Sequence, residues 1–190
     1  MLCLNLGQPE RPHMYRTFST FLAGMLVALS SLAQTSVNTV GFDDGRAISG
    51  FDAVAFFTAK KATVGKPEFS HSYLGAKWLF SSEENLKLFQ ASPEKYLPEW
   101  GGHCAWAVAE NSFSSKRLSG DFELISGKLY LFSFGRNARA DAKNDFLWGQ
   151  PNRAHRLREG DKLWPEIRRR LETGEAPQPD STSYTKSRFE

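Results

Sequence analysis

The chain has 190 residues and only two cysteines, Cys3 and Cys104. Cys3 falls inside the stretch read below as a leader, so the mature protein keeps one thiol and cannot close an intramolecular disulfide. Charge of one sign is also lacking. Against 24 Lys and Arg stand 21 Asp and Glu, and the late basic residues Arg153, Arg156, Arg158, Arg168, Arg169 and Arg170 are interleaved with Glu159, Asp161, Glu166 and Glu172, which reads as a solvated helix face and argues against nucleic acid as a partner. No apolar run reaches the roughly 20 residues a spanning helix needs. The chain has no phosphate-cradling glycine loop, no paired-histidine zincin motif and no serine elbow, and Asp43-Asp44-Gly45 has too few acidic offsets for a calcium loop. Enzymatic chemistry therefore has little to stand on.

What is present begins with a targeting pattern. Arg16 supplies a positive start, Phe21 to Leu29 an apolar centre, and Ser31-Leu32-Ala33 a small-x-small cleavage motif ahead of Gln34. Residues 1–33 are expected to be a cleavable signal peptide, started at Met1 or at Met14, which places the mature protein in the periplasm or outside the cell with no stable membrane span. Residues 34–46 read as a polar entry segment, 47–173 as one folded domain, and 174–190, rich in Pro, Ser, Thr and charge, as a disordered tail.

Within the domain the signals are short. Val54-Ala55-Phe56-Phe57 suits a strand or one helical turn. Phe69, His71 and Tyr73 alternate with polar neighbours before Leu74-Gly75-Ala76, and Trp78 and Phe80 follow, which predicts a hairpin. Ser81 and Glu84 have capping-box spacing ahead of a helix over about 82–91, and Pro93 suits the start of a further turn to Tyr96. Gly101-Gly102 breaks the chain, and composition favours a helix after Cys104. Phe122 to Ile125 and Lys128 to Phe134, flanking Ser126-Gly127, predict a second hairpin. Helix-favouring composition covers 136–149 and 152–172, the latter expected to divide into two shorter helices at Gly160 and Pro165. No internal repeat at a fixed period is evident. The expected fold is α+β: small antiparallel hairpins packed with several short helices in a single domain. With 15 Phe, 5 Trp and 5 Tyr, aromatic side chains should dominate its core, and Trp78, Trp100, Trp106 and Trp148 are read as core or rim packing.

Several of these segments resemble one family. Ile48-Ser49-Gly50-Phe51-Asp52, Gly65-Lys66-Pro67-Glu68-Phe69, Gly75-Ala76-Lys77-Trp78-Leu79-Phe80-Ser81-Ser82, Asn85, Phe89, Pro93-Glu94-Lys95-Tyr96 and Gly101-Gly102-His103-Cys104-Ala105-Trp106 resemble, in order and spacing, the exported bacterial YHS-domain proteins. The resemblance implies a link to heavy-metal handling, as in modules attached to copper-transporting pumps. It places the cysteine ligands of those modules at Ala55, Ser81 and Asn85, none of them a thiolate. It also implies that His103 stands where exported members commonly carry tyrosine.

Three roles remain open for Cys104. It is a soft-metal ligand, most suitably for copper, with His103 and His71 as partners; or a thiolate favoured by the start of a helix, acting in redox exchange with an external thiol; or a buried small hydrophobe. Adjacent residues on a regular element point apart, so His103 and Cys104 share a metal only in an irregular turn, which Gly101-Gly102 allows. The blander alternatives are a half-buried His71 on a strand and a surface His103. Asp52 and Trp106 are candidate rim residues, with helix capping the ordinary role for Asp52. The reading is a binding module for a soft metal or small ligand, with a thiol-dependent redox protein and a non-catalytic interaction module as alternatives.

Overall fold

The computed structural model describes residues 35–112, 117–134 and 142–175. The expected leader, nearly all of the expected tail and the first part of the 136–149 helix lie outside the described residues. A 3-10 turn at Ala47–Gly50 leads into α1 (Ala53–Thr58), hairpin β1 (Lys66–Tyr73) and β2 (Ala76–Phe80), and α2 (Glu83–Ala91). Short 3-10 turns at Pro93–Lys95 and Glu99–Gly102 then lead into α3 (Ala105–Ala109), hairpin β3 (Leu118–Ile125) and β4 (Lys128–Ser133), α4 (Ala142–Trp148) and α5 (Arg153–Glu172). The architecture is α+β, with each hairpin forming its own two-stranded antiparallel sheet. None of the described helices is long and apolar enough to cross a membrane.

Local chemistry accounts for most boundaries. The ambiguous apolar run at Val54 is a helix because Asp52 caps it: Oδ1 accepts from the backbone N–H of Val54 at 2.9 Å and of Ala55 at 3.2 Å, two donors that a helix start leaves free. Both hairpins turn on a residue pair with positive φ, Leu74 (49°) and Gly75 (73°), then Ser126 (52°) and Gly127 (80°), as two-residue turns matched to strand twist require. α2 is capped by Ser82, which accepts from the Asn85 N–H at 3.2 Å. Ser81, the expected cap, is turned toward Asp52 instead.

Strand β4 holds the two halves of the core together. Its Leu129 and Leu131 face a cluster with Ile48, Phe56, Trp78 and Phe89, while the alternate Tyr130 and Phe132 face a second cluster with Trp100, Val108, Phe146 and Ile167. That is the period-2 side-chain alternation of a strand buried on both faces.

Three expectations are corrected. α5 is one continuous helix and does not divide at Gly160 and Pro165. Gly160 is where the Trp100 indole lies against the helix, so a side chain there would overlap the ring, and Pro165 is exposed, as is Asp161, whose carbonyl forfeits its donor to water. Order begins before Ala47: Val37, Asn38 and Val40 are buried, and Asn38 donates its N–H to the Gly101 carbonyl at 2.8 Å and accepts from the Ile48 N–H at 2.7 Å. Trp148 is not packed in the core, being 76% exposed at the end of α4.

Candidate functional site

Asp52 is fully buried and its side chain accepts five hydrogen bonds. Besides capping α1, its Oδ2 accepts from the Ser81 N–H at 2.8 Å, the Ser81 hydroxyl at 2.6 Å and the Asn85 amide at 2.6 Å. Asn85 also donates to Ser81 Oγ at 3.3 Å. A buried carboxylate is tolerated when donors surround it in this way. Asp52 is thus an internal strut joining α1, β2 and α2, which corrects its reading as a rim residue.

The second centre is the turn before α3. Trp100 and Gly101 take left-handed backbone conformations, which swings His103 and Cys104 inward, so that both side chains are buried. The expectation of a surface His103 is therefore overturned. Its Nε2 lies 3.2 Å from the Ser36 carbonyl, a contact that needs the proton on Nε2 and leaves Nδ1 as an acceptor. Nδ1 is sealed from solvent and has no hydrogen-bond partner among the described residues. Burial drives the His103 pKa down to about 4, against a smaller upward pull from the Ser36 contact, so the ring is neutral at physiological pH. Cys104 occupies the cap position of α3 without making a side-chain cap hydrogen bond, and its free thiol packs in the second cluster. Trp106 is half-buried against the same cluster.

His71 is half-buried on β1, its ring 6.5 Å from that of Tyr73 and 6.3 Å from that of Phe89. Phe89 is a member of the first cluster and Cys104 of the second. Among the described residues, no group of three or more His, Cys, Asp or Glu side chains converges in a way that holds a metal ion. Cys104, His103 and His71 are therefore not assembled as a three-ligand centre.

A cleft of about 350 Å³ opens beside this turn, lined among others by Glu94, Glu99, Trp100, Asp161 and Trp164. Its carboxylates have partners: Glu99 pairs with Lys128 at 3.1 Å, Asp161 accepts from the Trp100 indole at 3.2 Å, and Glu94 accepts from the Tyr73 hydroxyl at 2.7 Å. The Trp164 ring, part of the cleft lining, also stands 5.9 Å from that of His103.

Residues 57–100 match the YHS domain family. No curated protein and no solved structure matches the chain. The YHS segment runs from the end of α1 to the left-handed Trp100, so it includes Ser81 and Asn85 and stops short of His103 and Cys104. The family suggests a metal-binding module, and the residues can be tested against that. Ser81 and Asn85 offer no thiolate, and their polar atoms are committed to Asp52, so a soft metal does not fit where the family resemblance puts it. The orphaned Nδ1 of His103 does fit one ligand position: a neutral imidazole whose other nitrogen is anchored on a backbone carbonyl is the arrangement metal-binding histidines use.

Sequence reasoning missed Ser36 and Asn38, which cover and brace this turn, because their partners lie more than 60 residues away. The Ser81 and Asn85 pairing follows from Ser81 standing just ahead of the Ser82 cap of α2, with Asn85 in its first turn.

Proposed function

We propose that the protein is an exported, non-catalytic YHS-type binding module that accepts a soft metal ion, Cu(I), at His103 Nδ1 together with Cys104. The observation that carries this is the solvent-sealed Nδ1 with no partner, on a ring kept neutral by burial and next in sequence to the only thiol of the described residues. An unsatisfied buried acceptor costs free energy unless something fills it. Imidazole and thiolate are both good ligands for Cu(I). The resemblance to metal-handling YHS proteins supports the choice of ion, and the leader pattern supports export. Entry requires local opening, because Cys104 and His103 are only 3% and 4% exposed. The same burial weighs against thiol exchange with a bulky partner, since reactive thiols are partly exposed.

The test is anaerobic Cu(I) titration against a chromophoric chelator, with wild type, Cys104→Ser and His103→Phe compared after circular dichroism has verified that each is folded. One equivalent bound by wild type, with affinity lowered on the order of 10–100-fold or more in each variant, is the expected result. Wild type competing no better than His103→Phe would overturn the proposal.

A further inference from the structure

We infer that the described residues hold two copies of one structural unit set 52 residues apart, so that the segment from Pro98 onward, which overlaps only the end of the YHS match, is a second, diverged YHS-like unit fused to the first.

The correspondence holds residue by residue. The left-handed pair Ile48 (φ 43°) and Ser49 (φ 57°) is repeated at Trp100 (φ 50°) and Gly101 (φ 61°). Gly50 and Gly102 follow with φ of 78° and 76°. Then Phe51 (φ −71°, ψ 148°) and His103 (φ −69°, ψ 157°) each return a backbone N–H, to Ile48 and Trp100 respectively. Asp52 and Cys104 each precede a short helix, α1 and α3. Three of these four residues, Ile48, Ser49 and Trp100, are not glycine, and non-glycine residues rarely adopt positive φ, so the shared conformation is not a generic turn.

The hairpins continue the pattern. β1 at Lys66–Tyr73 maps onto β3 at Leu118–Ile125. The strand partners Ser70 with Leu79, His71 with Trp78, Ser72 with Lys77 and Tyr73 with Ala76 map onto Phe122 with Leu131, Glu123 with Tyr130, Leu124 with Leu129 and Ile125 with Lys128. Each hairpin has an irregularity in the same stretch, between Lys66 and Ser70 and between Leu118 and Phe122, beyond which the outer pairs, Lys66 with Phe80 and Leu118 with Ser133, differ by one residue. Even an isolated parallel bridge recurs, Arg46 with Lys77 and Pro98 with Leu129.

Packing repeats as well. The Trp78 and Phe80 rings stand 5.2 and 5.0 Å from Phe89 on α2, and Tyr130 and Phe132 stand 6.3 and 5.6 Å from Phe146 on α4. The helix after the second hairpin is thus the counterpart of α2, reached after a longer connection. Between 46–80 and 98–132 only six positions are identical, Gly50/Gly102, Ala53/Ala105, Ala55/Ala107, Gly75/Gly127, Leu79/Leu131 and Phe80/Phe132, which is too few for the repeat to announce itself in sequence. These six are the turn glycines, the small helix residues and the strand residues of the core, the positions where backbone and packing leave least choice.

The copies differ where chemistry sits. Asp52 and Phe51 of the first are Cys104 and His103 of the second. The first copy closes its centre with the Ser81 and Asn85 hydrogen bonds, and the second leaves an imidazole nitrogen open. The inference does not depend on what that nitrogen binds.

The experiment is an NMR or crystal structure of the full chain. Superposing Cα atoms 98–112 and 117–132 on 46–60 and 65–80, without gaps, should give a deviation below the rise of one strand residue, about 3.3 Å, with Trp100 and Gly101 left-handed like Ile48 and Ser49. A larger deviation, or an extended or right-handed Trp100, would overturn the inference whatever copper does in the titration.

Discussion

The His103 ring and the Ser36 carbonyl stand 3.2 Å apart, and with the Asn38 N–H on the Gly101 carbonyl this contact ties the segment over residues 36–38, a strap across the turn, to the backbone that buries the Cys104 thiol. Asn38 continues the strap by donating its side-chain amide to the Gly102 carbonyl at 3.0 Å. The strap therefore stiffens the backbone on the residues immediately before the thiol.

Acid should expose the cost of burying that ring. The folded His103 pKa of about 4 lies below its ordinary value of 6.5, so between those pH values the unfolded chain takes up a proton that the folded chain refuses. The contribution to stability is complete above about pH 6.5, falls as the pH drops toward 4 and levels off below it, a loss of about 3 kcal/mol in all. Urea unfolding from pH 7.5 to 3.5 should show this fall in wild type, and the difference from His103→Phe should isolate it. Phe stands at the corresponding place of the first copy, as Phe51, so the variant should fold. Parallel pH profiles for the two proteins would refute the assignment.

Asp52 should be intolerant of change. Asp52→Ala strands the Ser81 hydroxyl, the Asn85 amide and three backbone N–H groups, and should cost about 3–5 kcal/mol in chemical denaturation. Asp52→Asn keeps one oxygen for the helix cap but turns an amide toward donors, so it should recover only part of that loss. A cost below about 1 kcal/mol for Asp52→Ala would mean that the network is not as tight as its geometry.

How much of this was legible in the sequence depended on how local each cause was. The hairpins were readable because Leu74-Gly75 and Ser126-Gly127 carry their turn geometry within two residues, and α2 because its capping signal falls within one residue of the Ser82 that caps it. The α1 segment was ambiguous until Asp52 was seen to cap it. Where causes were distant, the reading failed. Gly160 has the composition of a break, yet its reason is an indole 60 positions earlier. His103 looked like a surface residue because nothing near it in sequence announces Ser36 or Trp164. The repeat was invisible because its copies share backbone geometry far more than side chains.

Two arginines that both pair with carboxylates should differ in what they contribute. Arg156 is 5% exposed, with Nε on the Pro151 carbonyl, one terminal nitrogen on the Gln150 carbonyl and the other on Glu110 at 2.6 Å. Arg156→Met should cost about 2–3 kcal/mol, and Arg156→Lys should recover little because a single ammonium cannot reproduce the fork. Arg169 pairs with Glu166 and Glu175 on the exposed face of the same helix, and Arg169→Ala should cost less than about 1 kcal/mol. Equal losses in thermal unfolding would show that the Arg156 fork contributes no more than a surface pair.

Gly160 provides a test by sign. In an exposed helix interior, Gly→Ala ordinarily stabilises by about 1 kcal/mol. Here the added Cβ would overlap Cζ2 and Cη2 of Trp100, and that ring has little room to retreat. It stands 5.1 Å from Tyr130 and 6.4 Å from Phe146 between ring centres, and its N–H is held by Asp161. Overpacking of this kind typically costs about 1–3 kcal/mol, so Gly160→Ala should lower the unfolding midpoint and alter the tryptophan signal in near-ultraviolet circular dichroism. Because Trp100 is also the left-handed residue that starts the turn into His103, the same variant should loosen the buried imidazole and bring its pKa back toward the ordinary range. A Gly160→Ala protein that is more stable than wild type would show that α5 does not rest on Trp100 as described.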